Sequence, residues 1–116
     1  MKARCDRDEV EFLVVFIPTA ELVFEPRIRE AETHMPEEYD LLLSGEKQFW
    51  SRSERFLDEE GIKFVDTLPA LQQSLARGEQ PYRMDYDGHP NAAGHRAIAQ
   101  QVFLAMNERA GINPEP

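Results

Sequence analysis

Apolar residues first form one nearly continuous run along the chain and later return at helical spacing. Residues 10–17 are mostly β-branched, aliphatic or aromatic, and Pro18 ends the run. An apolar run of this length without regular polar alternation is typical of a strand that is covered on both faces of a parallel sheet. We therefore predict a central strand over 10–17.

Helical spacing dominates the middle of the chain. We predict a loop or short turn over 19–26, two short helices over 27–34 and 36–43, and a longer helix over 46–60 that Gly61 ends. A second strand is predicted over 62–65. One face of the long helix has spacings of three, four and seven residues, and its aromatic residues are predicted core positions. The residues on this face are Phe49, Trp50, Ser53, Phe56 and Leu57.

Two further helices are predicted in the second half. The first begins after Asp66 or Thr67 as the N-cap and ends at Gly78, and the last runs over 92–110 after Asn91 as its cap. The predicted buried positions of these two helices are Leu68, Leu71, Leu75, Ile98, Val102, Ala105 and Met106. Residues 113–116 contain two prolines and no large apolar side chain, which predicts a disordered end.

The predicted loop over 79–91 places a carboxylate two residues before a histidine. A histidine that acts as a general base needs a carboxylate on its far ring nitrogen, because that contact fixes the tautomer and stabilises the imidazolium. Asp87 and His89 are such a candidate pair. Two alternatives are a loop histidine bonded to a backbone carbonyl, and a metal site. The latter would join Asp85, Asp87, His89 and His95.

The sequence Asp-Gly-His-Pro-Asn-Ala-Ala-Gly-His at 87–95 resembles the last motif of the SGNH (GDSL-type) hydrolase superfamily, which are esterases and acyltransferases. The segments 11–19 and 61–66 are similar to the later core strands of that family. The Asp-x-His spacing is closer to the branch related to alginate-acetylating proteins than to the commoner Asp-x-x-His, in which the acid would stand at Tyr86.

The resemblance implies an α/β fold with a parallel sheet, of the flavodoxin-like three-layer type, with this chain as a single domain over 1–116 that forms its C-terminal part. It implies that His89 is the catalytic base and that Asp87 orients it. It also implies an ester or acylated substrate and no metal or organic cofactor.

The serine nucleophile of that family, in a Gly-Asp-Ser motif, does not occur in these 116 residues. The serines that are present are Ser44, Ser51, Ser53 and Ser74. We interpret them as solvated hydroxyls on helix surfaces, since none stands at a glycine-supported turn from strand to helix. One hypothesis is therefore a serine ester hydrolase or acyltransferase whose nucleophile lies outside this chain. The other is a non-catalytic fragment that self-associates or pairs with a separate N-terminal half.

The charge composition of the chain excludes one class of binding partner. The formal net charge of -9 argues against a nucleic-acid partner, which would require clustered lysine and arginine. We find no signal peptide and no apolar run long enough for a membrane span, and the compartment stays open because the family is often exported.

A strand that is apolar on both faces and lacks its sheet partners predicts a homo-oligomer, with Val14 and Phe16 near the interface.

Overall fold

The computed structural model describes residues 1–31, 34–83, 85 and 87–109. Within these residues the chain is a mixed helix and strand fold around a two-stranded parallel sheet. The elements in chain order are α1 (Lys2–Arg7), β1 (Leu13–Phe16), α2 (Ala20–Val23), α3 (Glu25–Ala31), α4 (Glu37–Glu59), β2 (Lys63–Asp66), α5 (Leu68–Ala76) and α6 (Ala92–Arg109).

Both predicted strands are present but differ in length or position. β1 pairs in parallel with β2, from Leu13 opposite Lys63 to Phe16 opposite Asp66. The prediction of a strand over 10–17 was too long, because regular pairing with β2 covers only four residues and Ile17 beyond it is 52% exposed. β2 begins one residue later than predicted and ends one residue later.

Helices pack against both faces of the sheet. Side chains alternate between faces along a strand, so Phe16 and Val15 point to opposite sides. The Phe16 ring contacts Trp50 of α4 with ring centroids 4.9 Å apart. Val15 packs against the main buried cluster, whose members are Val23, Phe24, Ala70, Leu71, Leu75, Tyr82, Ala97 and Ile98.

α4 corrects two of the predictions. It is one helix of 23 residues, whereas the sequence predicted a break near Gly45. A glycine inside a helix costs only about 1 kcal/mol, which the packing of the neighbouring turns offsets. Leu43 and Leu57 are buried, but Phe49 is 66% and Phe56 57% exposed. The predicted core positions of these two phenylalanines were therefore wrong. The buried leucines lie seven residues before and after Trp50, whose ring contacts Phe16 of β1.

The segment after Pro18 was predicted as a loop or short turn, and the structure forms a short helix there. Thr19 caps α2, because the backbone N–H of Leu22 donates to Thr19 Oγ1 at 3.3 Å. Leu22 and Val23 in this short helix are buried, and α3 follows directly. Burial of the apolar side chains favours a compact turn of helix here over an extended loop.

The predicted cap of α6 is confirmed, and α5 begins where predicted, with Thr67 at the N-cap position but without a capping bond from its side chain. Asp66 Oδ1 accepts the backbone N–H of Leu68 at 2.9 Å, and Asn91 Oδ1 accepts that of Gly94 at 3.1 Å. Ile98 is buried as predicted, whereas Met106 is exposed and its predicted place on the core face was wrong.

The predicted disordered end over 113–116 lies outside the described residues. Among the residues that the structure describes, no helix combines the length and the apolar character that crossing a bilayer requires.

Candidate active site

The loop that carries the Asp-His pair is closed at its base. Tyr82 and Pro90 form an isolated antiparallel bridge. Asn91 adds two hydrogen bonds, from its backbone N–H to the Pro81 carbonyl at 2.9 Å and from Nδ2 to the Gln80 carbonyl at 2.5 Å. Both ends of the loop 83–89 are thereby fixed to each other.

The first turn of α6 packs directly on this base. A Cβ atom added at Gly94 would overlap the carbonyl oxygen of Pro81, and it would lie only 2.9 Å from Cβ of Pro90. Glycine at position 94 therefore permits the close approach of helix and loop.

Tyr82 connects the loop to the end of β1. Its side chain is completely buried, and its hydroxyl donates to the carbonyl oxygen of Pro18 at 2.5 Å. Pro18 lies just beyond the carboxyl end of β1, the edge at which α/β proteins place their ligand sites. Burial raises the pKa of Tyr82 to about 12, and the charges of Glu46 and Glu21 act in the same direction.

Asp87 and His89 are in contact. Asp87 Oδ1 lies 2.5 Å from His89 Nδ1 and also accepts the backbone N–H of His89 at 3.2 Å. Because an ionised carboxylate can only accept, Nδ1 is the donor, and in the neutral imidazole Nε2 then keeps a free lone pair. The His89 side chain is 88% exposed, and the described residues offer Nε2 no hydrogen-bond partner. The predicted contact is present, while its catalytic role stays a prediction.

Two hydrogen bonds that His89 donates favour the ionised form of the Asp87 carboxylate. The pKa of Asp87 is lowered from its ordinary value, chiefly by the hydrogen bond from the His89 side chain and then by the backbone N–H of His89. The charge of Arg83 adds to this effect, and desolvation opposes it.

Two loop residues that the sequence did not assign to the pair contact Asp87. Asp85 Oδ1 accepts the backbone N–H of Asp87 at 2.9 Å, and Asp85 Oδ2 accepts from Arg83 Nε at 2.9 Å. Arg83 Nη1 also lies 4.0 Å from Asp87 Oδ2. The alternation of charged residues at 83, 85 and 87 was the sequence signal for this network.

The serines do not complete a triad. No serine hydroxyl is hydrogen-bonded to His89 among the described residues. Ser44 and Ser51 are exposed on α4, and Ser53 is half-buried there. The interpretation of Ser74 as a solvated hydroxyl was wrong, since it is completely buried in α5 and its Oγ has no partner in the described part of the chain. Ser74 lies three residues after Leu71, which was predicted to be buried, and this helical spacing was the sequence signal for its burial.

The proposed metal ligands are engaged elsewhere or exposed. Asp85 accepts from Arg83 and from a backbone N–H, and His95 is exposed on the first turn of α6. In residues 1–31, 34–83, 85 and 87–109 there is no group of three or more histidine, cysteine or acidic side chains placed to hold a metal ion.

A contact that the sequence did not predict joins the loop after β1 to α4. Thr19 donates to Glu46 twice, from its hydroxyl at 2.5 Å and from its backbone N–H at 3.1 Å. The loop that accepts from Tyr82 is thereby also fixed to the helix on the other face of the sheet.

The resemblance of the motif at 87–95 and of the two strand segments to SGNH hydrolases stays an expectation from the sequence. No protein-family model matches this chain, and the comparisons with curated proteins and with solved structures give no match either.

Proposed function

We propose that this chain is the Asp- and His-bearing part of an SGNH-type serine ester hydrolase or acyltransferase. The observation that carries the proposal is the contact of 2.5 Å between Asp87 Oδ1 and His89 Nδ1, in a histidine whose side chain is 88% exposed. The loop that holds this pair is tied to the carboxyl edge of a parallel sheet through Tyr82. A general base needs this combination of a fixed tautomer and an accessible second nitrogen.

In the proposed reaction, His89 Nε2 takes the proton of a serine hydroxyl as its oxygen attacks the ester carbonyl. The alcohol then leaves with the proton from Nε2, and an acyl-serine remains. Water, or an acceptor hydroxyl in acyl transfer, then attacks this acyl group while Nε2 again takes the proton. The serine oxygen leaves with that proton, which releases the acid or the new ester and restores the serine and the neutral imidazole. Asp87 accepts from Nδ1 throughout and stabilises the imidazolium.

The proposal extends to the fold. A parallel sheet with α4 against one face and the α5–α6 cluster against the other supports a three-layer α/β arrangement. The nucleophile and the donors that stabilise the oxyanion would come from polypeptide outside this sequence, on the side of β1 that does not pair with β2.

A fluorophosphonate probe tests the proposal, because it reacts covalently with activated serines. The protein is expressed from its own gene with a C-terminal tag, isolated with whatever is bound to it, and labelled. We expect one labelled polypeptide, and we expect labelling to be lost in His89→Ala. His95→Ala is the matched control, since His95 is also exposed but lies on α6. Absence of labelling, or labelling that persists in His89→Ala, would overturn the proposal.

The 116-residue chain by itself has a separate expected outcome. It should hydrolyse p-nitrophenyl acetate no faster than its His89→Ala variant, because a base and its orienting acid lack both nucleophile and oxyanion donors. Turnover well above that variant would place the nucleophile among the four serines of this sequence.

Exposed apolar side chains favour a second candidate function, a non-catalytic module that binds a second copy or another chain. Phe49, Phe56 and Phe103 are all more than half exposed. Stable association without fluorophosphonate labelling would support this candidate over the hydrolase.

A further inference from the structure

Alternate residues of the loop are joined into one hydrogen-bonded series. The Arg83 guanidinium contacts Asp85 Oδ2 through Nε at 2.9 Å and through Nη2 at 2.8 Å. Asp85 in turn accepts from the backbone of Asp87, and Asp87 contacts His89. The series therefore leads from the cation of Arg83, which follows Tyr82 at one end of the loop, to the imidazole of His89, which precedes Pro90 at the other end.

The two aspartates act on the backbone in the same way. Oδ1 of each accepts the N–H of the residue two positions later, which is an Asx-turn. The first turn fixes the peptide that carries Asp87, and the second fixes the peptide that carries His89. The direction in which the Asp87 carboxylate points therefore depends on the turn that Asp85 makes.

We propose that Asp85 and Arg83 are positioning residues for the Asp87–His89 pair, an inference that rests on the proposed function. Asp85 holds the backbone at Asp87 and keeps Arg83 beside Asp87 Oδ2, at 4.0 Å. Oδ1 is thereby left to His89 Nδ1, and the imidazole is kept in the tautomer whose Nε2 accepts a proton.

Because Arg83 and Asp85 lie on the surface, replacing them should affect the position of His89 without unfolding the protein. Arg83 and Asp85 are exposed, and in the described part of the chain the hydrogen bonds and ion pairs of their side chains go to other residues of the loop. Exposed ion pairs contribute little to global stability, so variants of both residues should remain folded. Any effect on His89 then reports on the loop itself.

Nitrogen-15 NMR of the His89 ring, with carbon-13 NMR of the Asp87 carboxyl, measures positioning directly. The charged groups that face Asp87 among the described residues are His89, Arg83 and Asp85. Because the pKa of Asp87 is lowered, its ionised contact is complete above the ordinary aspartate range and is lost as pH falls through the lowered value. The tautomer is read well above the ordinary histidine pKa of about 6.5.

Three variants test the contributions of Asp85 and Arg83 to the tautomer of His89 and to the pKa of Asp87. In Asp85→Ala we expect the fraction of Nδ1-protonated tautomer to fall and the pKa of Asp87 to rise towards its ordinary value. Asp85→Asn keeps an oxygen for the Asp87 N–H and should retain most of the tautomer. Arg83→Lys keeps the cation and should be close to the unmodified protein.

Arg77→Gln is the matched control, because Arg77 forms a similar exposed ion pair with Glu79 at 3.0 Å and does not contact Asp87. Circular dichroism verifies that each variant is folded. An unchanged tautomer and an unchanged Asp87 pKa in folded Asp85→Ala would overturn the proposal. Since neither readout needs a nucleophile, this result is independent of the fluorophosphonate experiment: normal positioning effects without labelling would refute only the proposed function.

Discussion

At the scale of single residues, Tyr82 connects the candidate site to the core. Its ring is part of the main buried cluster, its hydroxyl donates to Pro18 beyond β1, and its backbone pairs with Pro90 next to His89. Tyr82 thus connects the carboxyl end of β1 to the loop that carries Asp87 and His89. The sequence placed Tyr82 in the loop but gave no reason to expect its burial.

Replacing Tyr82 by phenylalanine should lower the free energy of unfolding by about 1–3 kcal/mol at neutral pH, since the Pro18 carbonyl loses its donor. The raised pKa of Tyr82 also makes the free energy of unfolding depend on pH. The stabilisation is complete below the ordinary tyrosine pKa near 10 and is lost as pH rises to about 12.

Urea denaturation between pH 8 and 12 measures both effects of Tyr82→Phe. We expect the variant to lose most of the alkaline decline in stability. Tyr39→Phe, at a partly exposed tyrosine that donates to the Glu21 carbonyl at 3.0 Å, should keep most of it. An unchanged alkaline decline in Tyr82→Phe would mean that another group causes it.

Ser74 offers a second test at this scale. Its buried hydroxyl has no hydrogen-bond partner in the described residues, so removing it avoids a desolvation cost of about 1–3 kcal/mol. Ser74→Ala should therefore be stabilising. Ser51→Ala, at an exposed helical serine, controls for the change in helix propensity. A Ser74→Ala variant less stable than Ser51→Ala in thermal melts would indicate a partner for the hydroxyl.

At the scale of elements, the junction of α6 with the loop base depends on close backbone approach. Gly94→Ala forces a Cβ onto the Pro81 carbonyl and should destabilise the protein by about 1–3 kcal/mol. Gly45→Ala is the matched change inside α4, where no heavy atom lies within 4 Å of the added Cβ. It should stabilise by about 0.5–1 kcal/mol.

Denaturant titration measures the free energy of unfolding of both glycine variants. We expect it to be lower in Gly94→Ala and higher in Gly45→Ala than in the unmodified protein. Gly94→Ala should in addition alter the NMR signals of His89, because the loop base moves. A Gly94→Ala variant as stable as Gly45→Ala would mean that the loop and α6 separate at little cost.

At the scale of the whole molecule, the prediction of self-association remains to be tested. Among the described residues β1 pairs only with β2, and Ile17 at its end is exposed. An open strand edge beside exposed apolar side chains pairs readily with another chain. We expect light scattering over a concentration series to show a dimer or larger oligomer.

Ile17→Lys should weaken this association, since a charge beside the strand edge opposes pairing. Phe103→Lys, at a similarly exposed side chain on α6, is the control. If both variants dissociate equally, general apolar contact and not the strand edge drives association. A concentrated monomer with a cooperative melt would contradict the prediction.

The sequence alone determined the features that local patterns encode. It gave the two strands to within a few residues, the start of α5, the cap of α6, and the contact between Asp87 and His89, because each depends on residues close in sequence. An Asx-turn or a cap is formed by neighbours two or three positions apart, so its signal survives without tertiary context.

Only the tertiary structure decided which sides of the helices are buried and what the loop is attached to. Phe49 and Trp50 are adjacent on α4, and the position of the sheet leaves the first exposed while the second contacts Phe16. The bond from Tyr82 to Pro18 joins residues 64 positions apart. Such contacts depend on how packed elements meet in space, which the periodicity of one element does not specify.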